Sequence, residues 1–173
     1  MRRGRGAPHD REQGAALVEF ALLFPVFMTL ILGMFTGGLA YNQDISLAHA
    51  AREGARYGAT LPKGSGGTAP DAWREAIKAR VLEAATNDLN LAKPGHYICV
   101  ALVTGAGGVD GNYHEHWGDA PVLPNECYLD GVTDTAGRVH VLVGRPGKIQ
   151  LLFTSYDLKL TSKGTSRYED PTP

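Results

Sequence analysis

The sequence predicts an α+β protein: a long N-terminal transmembrane α-helix, followed by a small extracytoplasmic head of one helix packed on an antiparallel sheet. Three observations carry this expectation. Phe20 to Gln43 is a run of 24 residues without a formal charge, and Phe20 to Phe35 is almost wholly apolar. Trp73, Ile77, Val81 and Ala84 recur at helical spacing. Beyond them come runs rich in β-branched or alternating residues, Tyr97 to Val103, Arg138 to Val143, Lys148 to Phe153 and Leu158 to Thr165. Composition narrows the classes further. With 43% hydrophobic and 20% charged residues, the 173-residue chain is neither a disordered tail nor a coiled coil. Its 17 Lys and Arg against 18 Asp and Glu give a net charge of −1, without the basic excess that a dedicated nucleic-acid binder needs. Its 2 cysteines are too few for a cysteine-only four-ligand zinc site or a disulfide-dense mini-fold.

Residues 1–14 read as a polar leader, with Arg2, Arg3, Arg5 and Arg11 against Asp10 and Glu12. Its glycines and proline make it a poor helix former. Residues 15–59 are expected to form the transmembrane and continuing helix. At about 1.5 Å per residue the charge-free run spans roughly 36 Å, enough to cross about 30 Å of hydrocarbon with tilt. Only a helix satisfies all its backbone polar groups within one such segment. The chain lacks enough other apolar segments to surround so apolar a helix as a buried core element. Arginines precede the run, and the first basic residue after it is Arg52. The positive-inside rule therefore places the N-terminus in the cytoplasm and the head outside.

Three residues depart from a plain anchor. Glu19 sits at the mouth of the apolar run, where a carboxylate is costly. Gly14 is a small residue at the seam between leader and helix, where a peptidase could bind an extended chain. Pro25 removes one helical hydrogen bond and is expected to bend the axis.

The string Gly14-Ala15-Ala16-Leu17-Val18-Glu19-Phe20 resembles the type IVb prepilin processing motif: a glycine, four residues, then Glu-Phe. The longer run GAALVEFALLFPVF, with AREGARYGA at residues 51–59, resembles the TadE-like family, minor pilins or pseudopilins of the tight-adherence (Flp) pilus system. LTSKGTSRYE, at 160–169, is similar to the terminal strand of that family. The resemblance is carried mainly by residues 12–59. No motif can be placed between 60 and 158.

The resemblance implies a bacterial inner-membrane protein with a single span, without cofactor or catalytic residue, itself the substrate of a peptidase. A membrane-embedded prepilin peptidase would recognise Gly14, Ala15, Glu19 and Phe20 and cut between Gly14 and Ala15, leaving Ala15 as a mature, N-methylated terminus. Other pilins, the inner-membrane assembly platform and, indirectly, the assembly ATPase are the implied partners. In that scheme Glu19 has a physical role. Cleavage creates an ammonium at Ala15 within or beside an apolar bundle, and a carboxylate one helical turn away, or on a neighbouring subunit, can offset it. Alternatively Glu19 is an interfacial residue solvated by headgroups; the motif spacing favours the first reading.

A competing reading is export. Gly38-Leu39-Ala40 before Tyr41 is a small-x-small signal peptidase site behind a basic leader and an apolar run. Cleavage after Ala40 would release an extracytoplasmic binding domain.

Ile45, Ala48, Arg52, Ala55 and Ala59 suggest a narrow packing stripe of mostly small residues in the continuing helix. Arg52, Glu53 and Arg56 read as a solvated charged face, with a weak Glu53–Arg56 pair, and Gly54 and Gly58 as markers of the helix end. Residues 60–68 form a Gly-rich linker and 69–173 the head. Thr68 and Asp71 have the spacing of an imperfect capping box for a helix running to about Asn87. Pro146-Gly147 suits a turn between strands.

Cys99 in a strand and Cys127 in a long loop could form a disulfide outside the cytoplasm. The segment from Gly105 to Asp130 reads as a polar surface loop. Its Asp110, His114, Glu115, His116 and Asp119 admit a metal reading, because His-x-His puts two imidazoles on one side of a strand. No further ligand stands at familiar spacing, so no metal is assigned. His49, His96 and His140 are isolated, and Gly105-Ala106-Gly107-Gly108 lacks the following helix of a phosphate cradle.

Overall fold

The computed structural model describes residues 9–63, 68–105, 108–119, 127–128 and 136–168, with side chains from Gly14 onward. Arg2, Arg3 and Arg5 of the leader, the linker glycines at 64, 66 and 67, and Glu169 therefore lie outside the described residues.

Helix α1 runs His9–Thr60 without interruption, α2 covers Pro70–Ala84, and four strands follow: β1 Tyr97–Thr104, β2 Gly108–Gly118, β3 Arg138–Gln150 and β4 Ser155–Arg167. The sheet is antiparallel throughout, in the order β2-β1-β3-β4. The architecture is α+β, with a long apolar helix leading into a head of helix on sheet. Helix α1 starts earlier than the leader's composition led one to expect. After Pro8 the residues Asp10 to Gln13 include good helix formers, and an established helix extends at little cost.

The C-terminal part of α1 belongs to the core of the head. Leu47, Ala50, Ala51 and Ala55 are fully buried with Trp73, Ile77 and Val81 of α2 and with Ile98, Val100, Val139, Val141 and Val143 from the sheet. The stripe on α1 agrees with the one read in the sequence at Ala55 and Ala59, which are buried, but departs from it earlier. Ile45 is half exposed and Arg52 exposed, while Leu47 and Ala51 face inward with Gly54 and Gly58. The glycines do not end the helix; they admit α2. An added Cβ would meet Val81 Cγ2 at 2.3 Å from Gly54 and Ile77 Cδ1 at 2.4 Å from Gly58. The helix stops two residues later, where its last carbonyls find side-chain donors. Trp73 Nε1 donates to Gly58 O at 3.1 Å, and Thr60 Oγ1 donates to Tyr57 O at 2.8 Å.

Helix α2 is not capped by Thr68. Ala69 is the N-cap, without a side-chain bond, and Pro70 opens the helix where its missing N–H is no loss. Its end lies at Ala84, because Thr86 and Asn87 turn into left-handed conformation (φ 45° and 72°).

Two strand expectations need correction. The segment read as a polar loop contains β2, which pairs with β1 from Tyr97↔Gly118 to Thr104↔Gly108 across one irregularity. Its glycines and polar residues carry little strand propensity, but an edge strand needs only one partner and one packed face. And Pro146-Gly147 is not a turn. β3 runs through it, with Pro146 opposite Lys159 of β4, and the chain reverses at Leu151–Thr154. β1 pairs with β3 only as far as Gly144, so Pro146 sits where β3 has a single strand partner, the kind of position at which a sheet tolerates proline.

Candidate functional site

The feature that stands apart is the N-terminal part of α1. From Leu17 to Leu39 its large apolar side chains project outward: Leu22 is 72% exposed, Phe27 60% and Met34 76%. The most hydrophobic stretch of the helix, within Gly14–Thr60, is 0% buried by the rest of the protein. Folding in water leaves surface of this kind outside only if something else covers it. Within the run the two threonine hydroxyls are satisfied internally. Thr29 Oγ1 donates to Pro25 O and Thr36 Oγ1 to Leu32 O, each at 2.8 Å, and the helix carries Pro25 inside it. Back-bonding of this sort removes hydroxyls from competition with water and suits an apolar solvent.

Gly14, Ala15, Glu19 and Phe20 all lie on this exposed helix surface. A Cβ added at Gly14 would meet nothing within 4 Å. Phe20 stacks obliquely on Phe24 with ring centroids 5.6 Å apart. Ala15 lies inside the continuous helix of the full-length chain, so it offers no terminal ammonium for Glu19. Ala40 and Tyr41 are likewise helical and continuous, and Ala40 is only 7% exposed.

Elsewhere the candidate residues are engaged structurally. Glu53 is not part of a solvated face. Its carboxylate holds Arg80 of α2 at 2.7 Å as well as Arg56 at 3.3 Å, and these hydrogen bonds, Arg80 first, lower its pKa below the usual glutamate value. The pairing joins the two helices next to the glycine contacts. The REGAR segment therefore serves packing: Glu53 clamps α2, and Gly54 and Gly58 let it close in.

Cys99 and Cys127 form a disulfide with Cα atoms 5.5 Å apart, on the sheet face opposite the helices, packed with Tyr97 and Leu142. His114 and His116 do share one side of β2. His114 Nδ1 donates to Asp110 O at 3.0 Å, while His116 Nδ1 lies 3.0 Å from the Tyr128 hydroxyl, whose pKa burial raises. Glu115 points the other way, to Arg74 Nε at 2.8 Å, and Asp119 accepts from Gly95 N at 3.3 Å. The described residues contain no group of three or more His, Cys, Asp or Glu that could hold a metal ion. His96 is buried and accepts from the Asn90 N–H at 3.1 Å; burial, then Arg145 and Lys93, lower its pKa. His140 is buried in β3, and His49 is exposed on α1.

One part of the site had no signal in the motifs. The β3–β4 hairpin runs back along α1, so that Thr36 Oγ1 also lies 3.1 Å from Gln150 O, and a Cβ at Gly33 would lie 3.2 Å from Leu151 Cδ2. The small residues Gly33, Thr36 and Ala40 are what let it approach. Their spacing of three and four could have revealed a packing face, but not its partner.

Residues 14–56, about a quarter of the chain, match the family model of TadE-like proteins. No curated protein and no solved structure gives a match.

Proposed function

We propose that this chain, TadE-like over its exposed N-terminal helix, is a minor pilin or pseudopilin of a tight-adherence (Flp-type) pilus. It is a single-pass protein of the bacterial inner membrane and a component of pilus assembly and hence of adhesion. One observation carries the reading: the matched segment begins with an apolar helical surface that the protein's own head leaves uncovered. Lipid covers it first, and the helices of other pilins can cover it afterwards. The protein performs no catalysis and is acted upon. A prepilin peptidase cuts after Gly14, freeing Ala15, and Glu19 then balances the new ammonium from one helical turn away or from a neighbouring subunit. The leader stays cytoplasmic and the head extracytoplasmic, in line with the arginines that precede the span. Other pilins and the inner-membrane platform are its partners.

The mass of the mature protein extracted from membranes tests this. We expect a chain beginning at Ala15, and a Gly14→Leu variant that keeps its leader and forms no pili. A mature N-terminus at Tyr41, or normal processing of Gly14→Leu, refutes the reading.

A further inference from the structure

We propose that the tip of the β3–β4 hairpin is a second membrane-contacting element, seated in the outer headgroup–acyl boundary beside α1. The inference rests on the reading that α1 spans a bilayer, and it concerns a part of the chain outside the TadE-like segment.

Position is the first argument. The tip touches α1 at Gly33 and Thr36, inside the charge-free run. At about 1.5 Å per residue, roughly 30 Å of hydrocarbon begun at Gly14 ends close to Gly33; begun at Phe20, it ends close to Leu39. On either count the hairpin tip meets lipid, at the outer boundary or just below it.

The chemistry of the tip agrees. Reversals exposed to water favour Gly, Asn, Asp, Pro and Ser, yet here the chain turns through Leu151-Leu152-Phe153-Thr154. Phe153 is 84% exposed, Tyr156 58% and Leu152 41%, on the same hairpin end that meets α1 at Gly33 and Thr36. The turn closes on a hydrogen bond of its own: Leu151 N donates to Thr154 O at 2.8 Å. That pairing suits the boundary layer, where amphipathic elements insert by about 5–10 Å.

Charge marks the upper limit of insertion. Lys148 and Asp157 face each other at 3.6 Å, both exposed, three residues above the turn, or about 10 Å at strand rise. At that height Lys148, with Arg145 and Lys93, lines a cleft against Leu39 and Gln43 of α1. Tyr156, between the apolar tip and the charges, stands where aromatic belts lie. The hairpin thus brackets the outer limit of hydrocarbon on α1 between Gly33, beside the tip, and Leu39, at the height of the charges.

The test uses the full-length chain in vesicles of brominated phosphatidylcholine, with the bromines either near the carbonyl end or near the methyl end of the acyl chains. Two variants each add a tryptophan to the native Trp73 and Trp117: Phe153→Trp at the tip and Val26→Trp on the span. Both positions are exposed, so neither change disturbs the core. The added Phe153→Trp emission should lose its greater part with bromines near the carbonyl end and be spared by aqueous iodide, while Val26→Trp should be quenched more by bromines near the methyl end. If Val26→Trp is quenched and Phe153→Trp responds only to iodide, the tip lies in water and the proposal fails while the spanning helix stands. If Phe153→Trp escapes both quenchers, a second copy of the chain covers it, and the proposal also fails. If Val26→Trp is not quenched by lipid, the membrane-spanning reading itself falls.

Discussion

At Gly164 of β4 the fold has no room for a methyl group. An added Cβ would lie 2.3 Å from the Ala51 carbonyl oxygen, and neither partner is a side chain that could rotate away. Gly54 and Gly58 face side chains instead, whose tips can yield in part. Replacing Gly164 by alanine should therefore cost about 1–3 kcal/mol of stability, as overpacking does. A lowered denaturation midpoint with an unchanged slope would show it. The neighbouring contact, Ser162 Oγ to Asp44 Oδ1 at 3.3 Å, fixes the same strand on the same helix. The close approach at Gly164 and the Ser162–Asp44 hydrogen bond both help to align β4 with α1, and no sequence motif announces either.

At the scale of elements, α1 performs two tasks along one continuous axis. Its first part offers apolar side chains to an external solvent; its last part offers alanines and glycines to α2 and the sheet. The sequence shows the first task plainly, because a long charge-free run has few other uses. The second is harder to read, because a stripe of small residues has low contrast, and the phase inferred from Ile45 and Arg52 was shifted from the real one at Leu47 and Ala51. The Cys99–Cys127 bridge works at this scale too. It closes a separation of 28 residues and ties the second, smaller apolar cluster to β1. Changing both cysteines to serine should lower stability by about 3–4 kcal/mol on the chain-entropy account, and a reductant should shift the unfolding of the native protein but not that of the variant.

For the whole molecule, the head and the anchor are not separable at the end of α1. Residues 41–173 keep Leu47, Ala50, Ala51 and Ala55, and should fold as a soluble head with a cooperative unfolding transition. Residues 61–173 lose all four, leave Val139, Val141 and Gly164 uncovered, and should show no such transition. Circular dichroism of the two fragments during heating distinguishes these outcomes. A folded 61–173 fragment would mean that α1 merely rests on the head.

The sequence by itself determined the α+β class, the exposed apolar helix, the α2 face of Trp73, Ile77 and Val81, and the cores of β1 and β3. Each of these is a periodic or contiguous pattern of hydrophobicity, which burial imposes residue by residue. Only the tertiary structure decided the rest. It made an edge strand of the glycine- and histidine-bearing segment 108–118, because pairing with β1 outweighs weak local propensity. It carried β3 through Pro146, because the proline falls where β3 has a single strand partner. And it laid the hairpin tip against Gly33 of α1, a contact between residues more than a hundred positions apart that no local pattern encodes.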